Sequence, residues 1–362
     1  MEKSGMSSPL AFKPNYAEAE ERWLAFWDHE LIDRPCCLVT ALKEDAGELP
    51  PPPPYMSGAR EDFGPIIEAL LTRAEATWYG GEAMPAYTPS FGPDMYAAWL
   101  GADLEFDKEN YGTNWVVPTV QDWATDLPLH LAEENPWWQR MLAFCKALGD
   151  AFAGKMLVSH LDLHSNMDAL SALRTPEMLC MDMMDVPDLI EQGVNQATDL
   201  YPVIYDALYK AAGMDRCGTT GWVPAFHPEK TNTIQCDFAA LIGPEHFRRF
   251  VVPSLEREAA YLKHTVYHLD GPECIVHVDD LCAIPGLDCI QWVCGARNKP
   301  FIEWMDLLKT IQSKGVAVWI PCNAESIKVF HRELDPSLLF YVCSVRSQTE
   351  GEAVLRWLAS NT

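Results

Sequence analysis

Four side chains able to bind a metal stand where short β-forming runs stop. Cys236 closes TIQC, His268 and Asp270 close TVYHLD, and Cys343 closes LLFYVC. Thiolate and imidazole suit Zn²⁺, and three protein ligands with one open position describe a catalytic site rather than a structural one. Cys236 and His268 lie 32 positions apart, and His268 and Cys343 lie 75 apart. No local loop gathers them; only converging strand ends could. The bland reading is that a cysteine on a buried strand is a small apolar residue and that His268 fixes a turn. His160, His164 and His227 are alternative ligands, each more often structural. There is no CxxC, and Cys217, Cys274, Cys282, Cys289, Cys294 and Cys322 lack local metal spacing.

The elements that would position these residues follow from periodicity. Thr265–Tyr267 is a β-branched and aromatic run, Gly271-Pro272 is a turn, 273–282 has helical spacing, and 288–293 reads as the next buried strand. Two strands joined by a helix form a parallel pair with a right-handed crossover. From Thr233 on, the rhythm continues with strands at 233–238, 316–320 and 338–342 and helices at 244–263, 300–313, 324–333 and 349–360. Such alternation means a parallel sheet. No GxGxxG follows the first strand and no GxxxxGK[ST] occurs, which removes support from nucleotide-binding open sheets. The expected fold is therefore a (β/α)₈ TIM barrel, with its site at the strand C-termini.

Upstream, Asn15 can cap a helix over 16–30, and 32–42 reads as the first strand. Pro-rich 48–54 and Gly/Pro-rich 78–94 read as loops, the latter over a pocket mouth. Helices are expected over 61–77, 136–152 and 187–212, and a strand over 155–163. That strand ends in Asp162, His164, Ser165 and Asn166, another polar strand end. The whole chain, 1–362, reads as one domain in which 1–78 is an N-terminal extension packing on the barrel.

The chain has 52 acidic and 27 basic residues, for a formal charge of -25, so phosphate backbones are repelled and nucleic acid is not an expected partner. No run is apolar enough to span a membrane, and the first residues lack the pattern of a signal peptide. Twelve scattered cysteines in a large chain fit a reduced, cytoplasmic setting. Tyr267, Trp292 and His164 are candidates to line a substrate site, and Arg346 or Arg297 could hold a carboxylate. Trp222 and Tyr341 could add to an aromatic wall. No GxSxG elbow supports a serine triad.

The segment QCDFAALIGPEHFRRFVVP, with Pro244, Phe247, Phe250 and Pro253, resembles the uroporphyrinogen decarboxylase superfamily, which includes corrinoid-dependent methyltransferases. The resemblance runs from about residue 80 and is firmest after Thr233. In the methyltransferase branch the zinc ligands at strand ends are an acidic or thiol residue, then His-x-Cys, then a late Cys. By register, Cys236, His268, Asp270 and Cys343 fall at those positions. The resemblance thus implies Zn²⁺ held by Cys236, His268 and Cys343, with Asp270 as fourth ligand or beside the metal, and catalytic roles for His268 and Asp270. It also implies a small methylated substrate and a partner protein carrying a corrinoid; a second copy of the chain is a further candidate partner, which the resemblance does not bear on. Two departures stand out: Asp270 replaces a Cys, and Cys236 stands where some members have Glu. The decarboxylase proper has an Arg-rich N-terminal segment, of which DRPCCLVTALKED keeps only Arg34. Decarboxylation is therefore the second reading, and a ligand-binding barrel without catalysis the third.

Overall fold

The computed structural model describes residues 9–106, 114–295 and 298–362; Arg297 lies outside them. Seven strands form the main sheet: β1 (Cys37–Leu42), β2 (Thr77–Gly81), β3 (Thr231–Gln235), β4 (His264–Asp270), β5 (Cys289–Val293), β6 (Ala317–Asn323) and β7 (Leu339–Ser344). Their order is β2-β1-β7-β6-β5-β4-β3, parallel throughout except for β2 at one edge. The strands from β3 onward match the alternation read from Thr233, and each sits within a few residues of its expected span. Helices flank this mostly parallel sheet in a TIM-barrel-like arrangement.

Expectation and structure part company upstream. Residues 77–81, expected in part as a loop, pair antiparallel with β1. The strand stops at Gly81, whose φ of +56° and contact with the Cys37 carbonyl leave no room for a Cβ. In the run 155–163 only Leu157–Val158 makes a ladder, parallel to Ala86–Tyr87. Beyond it the chain is irregular but tied on both sides: Ser159 N–H donates to Tyr87 O (2.9 Å) and His160 N–H to Thr220 O (2.7 Å). Asn232 of β3 reaches across to Leu161 O (3.2 Å).

The two faces of the sheet bury different partners. Helix α1 (Tyr16–Trp27) repeats apolar residues at helical spacing, and Ala19, Trp23, Phe26 and Trp27 are buried on one side of it. They pack with Cys36, Leu38, Val266, Cys289, Ala317 and Phe340. The other face carries Cys37, Val39, Tyr267, Leu269, Ile290, Val318, Ile320 and Tyr341 and is covered by the remaining helices. Among these, α2 (Pro136–Phe152) starts as expected, with Asn135 accepting from the Trp137 and Trp138 N–H groups ahead of the first helical Pro. Successive residues of β4 therefore alternate: Val266 faces α1, Tyr267 the outer helices.

The expected helix 244–263 is broken into a short turn at Pro244–His246, a wide π turn at Phe247–Val251, and a helix over Val252–Tyr261. Pro253 explains the wide turn, because its ring cannot sit against the carbonyl four residues back and it has no N–H to give. Among the helices not read from the sequence are α3 (Asn166–Arg174) and α4 (Pro176–Asp185). They precede α5 (Pro187–Ala211).

Candidate metal centre

His164 ends the irregular continuation of Leu157–Val158, and α3 starts two residues later. Asn166, the first residue of α3, has φ +52°, a strained value for a non-glycine residue. Its side chain donates to Gln235 O (3.0 Å), while Ser165 Oγ–H donates to Glu258 Oε1 (2.6 Å). These bonds fix the turn and point His164 and Asp168 into one cavity. On the other side, the chain leaving β3 supplies Asp237. Asp168 accepts the N–H groups of Asp237 (3.0 Å) and Phe238 (2.8 Å), which clamps the two segments together.

The ligand atoms of His164, Asp168 and Asp237 all lie within 4.8 Å of one another. Among the described residues they are the one such group of three His, Cys, Asp or Glu side chains. All three line a cavity of about 580 Å³ whose walls include Asp94, Trp115 and Phe238. Each Asp168 oxygen that accepts an N–H keeps a second lone pair, so the carboxylate can still bind a cation.

His164 Nε2 lies 3.1 Å from Asp162 Oδ2, and Nδ1 lies 3.5 Å from Asp168 Oδ2. Burial pulls the ring's pKa down, but the charge and hydrogen bond of Asp162, reinforced by Asp168, outweigh it and hold the imidazolium well above the usual histidine range. Asp237 is pushed up to about 6, by burial first and then by the charge of Asp168, against the pull of His164 and His268. Burial also raises Asp94. A proton on the His164 ring offsets the charge of the crowded carboxylates. A divalent ion could take its place, and the residues fit one: imidazole nitrogen plus two carboxylate oxygens, with room in the cavity for a further ligand.

The ligand set expected from the sequence is arranged differently. His268 pairs in register with Gln235 and Gln291 on the face that carries Val266. Cys236 and Cys343 belong to the cluster under the outer helices, so their thiols point away from the face His268 occupies. The reason is the two-residue period of a strand: a ligand one position out of phase is on the wrong side. Asp270 is exposed at the end of β4. The structure does not bring these four to one point. Cys343 instead faces Cys322 of β6.

His268 nevertheless adjoins the centre, since its charge acts on Asp237. Its Nδ1–H donates to Gln291 Oε1 (2.6 Å), which leaves Nε2 as the free ring position. The Trp222 ring stands edge-on to it at 4.9 Å. Of the expected substrate-lining residues, only His164 is in the cavity. Tyr267 and Trp292 are fully buried under the helices, Trp292 against Trp304. Arg346 is exposed, its backbone N–H on Glu350 (2.7 Å). Sequence reasoning missed Asp168 and Asp237. The available signals were the four-residue step from His164 to Asp168 into a helix, and the carboxylate directly after Cys236.

No family model and no curated protein matches the sequence. Among solved structures the fold is similar to that of a methyltransferase from Methanosarcina mazei, at 15% identity with a TM-score of 0.61, covering 94% of this chain and 98% of that one. The likeness spans nearly the whole chain, so the fold is methyltransferase-like, and its cavity carries a His/Asp cluster able to bind a metal.

Proposed function

We propose that the protein is a metal-dependent methyltransferase that moves a methyl group between a small methylated substrate and a corrinoid carried by a partner protein. The observation that carries this reading is the His164–Asp168–Asp237 cluster in the wall of a cavity large enough for a small substrate. The fold shared with a methyltransferase supports it. In the same reading the six parallel strands β1 and β3 to β7 close with Ala86–Tyr87 and Leu157–Val158 into an eight-stranded barrel, supported by the hydrogen bonds running from Tyr87 through His160 to Asn232. The chain then forms one domain, acting in a reduced compartment.

Zinc is the proposed ion, held by His164, Asp168 and Asp237. It would supply positive charge that polarises the heteroatom bearing the methyl group. The chain's residues do the rest. Asp162 holds His164 Nε2–H and so orients the ring, leaving Nδ1 toward Asp168. Trp115 and Phe238 give the cavity wall an apolar surface for the methylated group. Gln291 fixes His268 so that Nε2 is free to hold the proton that the heteroatom gains or loses. The methyl group moves without its bonding pair, which stays on that heteroatom, and in-line approach requires the corrinoid to come in over the mouth.

Decarboxylation of a porphyrinogen has a specific observation against it. Arg34 is buried and makes paired hydrogen bonds to Glu82 (2.6 and 2.9 Å), so it is not free to grip a carboxylate. Incubating zinc-loaded protein with methylcobalamin and a panel of thiols and amines tests the proposal. Demethylation that stops on chelation is expected. Stepwise decarboxylation of uroporphyrinogen, with no demethylation in any mixture, would overturn it.

A further inference from the structure

Cys322 and Cys343 occupy directly opposed positions on the neighbouring parallel strands β6 and β7. Neighbouring strands lie about 4.8 Å apart, inside the roughly 4.4–6.8 Å range of Cα separations that a disulfide spans. Opposed residues of a parallel pair also project to the same side of the sheet. The two side chains are neighbours there, and their interaction lowers the Cys343 pKa and raises that of Cys322. Cys322 is partly exposed, whereas Cys343 is 3% exposed. Every cysteine in the chain is a free thiol, and the metal centre uses none of them.

We propose that Cys322 and Cys343 form a reversible dithiol–disulfide site, oxidised by a small-molecule disulfide. One cysteine, as its thiolate, attacks a sulfur of the small disulfide, forms a mixed disulfide and expels one small thiolate. The other cysteine then loses its proton to solvent, attacks the protein sulfur of that mixed disulfide and expels the second small thiolate. Two protein thiols and one small disulfide become one protein disulfide and two small thiols; the protein loses two electrons and the small disulfide gains them. The register favours this pair, because the second cysteine stands directly beside the first and can resolve the mixed disulfide. The resulting bond would tie β6 to β7 one residue before each strand ends.

Peptide mapping after differential alkylation tests the site on the full chain. Fully reduced protein is treated with oxidised glutathione, free thiols are blocked, and the digest is read by mass spectrometry with and without reduction. The expected result is a linked pair of peptides containing Cys322 and Cys343, two hydrogens lighter than their sum, before any of the other ten thiols has reacted. Cys322→Ser should abolish that species and leave Cys343 alkylatable or glutathionylated. Wild-type protein in which both cysteines stay fully alkylatable while other thiols oxidise would overturn the proposal. So would a stable mixed disulfide at Cys322 that never resolves. Both outcomes are read on the wild type, so the test survives a variant that fails to fold.

Discussion

Asp162 and Asp168 flank the His164 ring at 3.1 and 3.5 Å, and Asp237 completes the cluster. A metal can bind His164 only after its proton leaves. The ring holds that proton above the usual histidine range, and Asp237 keeps its own up to about pH 6. Metal affinity should therefore rise steadily from pH 6 to pH 8, with protons released on binding. Calorimetry in buffers of different ionisation enthalpy checks both the rise and the release. Glu258 gives a second pH effect. It is 1% exposed, and burial lifts its carboxyl to about 8 despite the hydrogen bonds from Ser165 and Asn166. The folded protein thus holds a proton that the unfolded chain has lost above about pH 4.5. Stability should fall as pH rises from there to about 8 and then level off. Glu258→Gln, which cannot ionise, should flatten that slope in urea titrations.

Helix α1 and the strand face beneath it are coupled through a few large side chains. Trp23 is fully buried, meets Phe340 edge-on at 5.3 Å, and donates its indole N–H to Glu82 O (2.9 Å). Trp23→Ala should cost about 3–5 kcal/mol of stability, measured by chemical denaturation. This helix was legible from its apolar spacing, and so were the strands and helices after Thr233, where the two periods alternate cleanly. Upstream the signals were weaker for physical reasons. The run after Leu157–Val158 is held by bonds from Tyr87, Thr220 and Asn232 rather than by a ladder, and α3 is short and starts from a positive-φ Asn166, so its stripe of Met167, Leu170 and Leu173 spans barely two turns. The candidate site fared similarly. That polar residues would gather at strand ends was readable, and His164 was among the candidates. Which side of the sheet Cys236 and Cys343 face depends on register, and one residue of phase decides it.

Across the whole molecule, two chemistries stand apart: a His/Asp cluster at the cavity beyond the end of β3, and a pair of thiols on β6 and β7 under the outer helices. They are separable by mutation. Cys343→Ser should leave metal content unchanged, because its thiol lies away from the cavity. Asp237→Asn removes one ligand charge and should weaken metal binding by more than the roughly 10- to 100-fold that follows the loss of a residue merely hydrogen-bonded to a ligand. Titrating zinc into chelator-stripped wild type, Asp237→Asn and Cys343→Ser, with circular dichroism to confirm folding, tests the metal centre most directly. One zinc per chain in the wild type and in Cys343→Ser, with much weaker binding in Asp237→Asn, is the predicted result. Zinc binding that Cys343→Ser abolishes and Asp237→Asn leaves intact would contradict it.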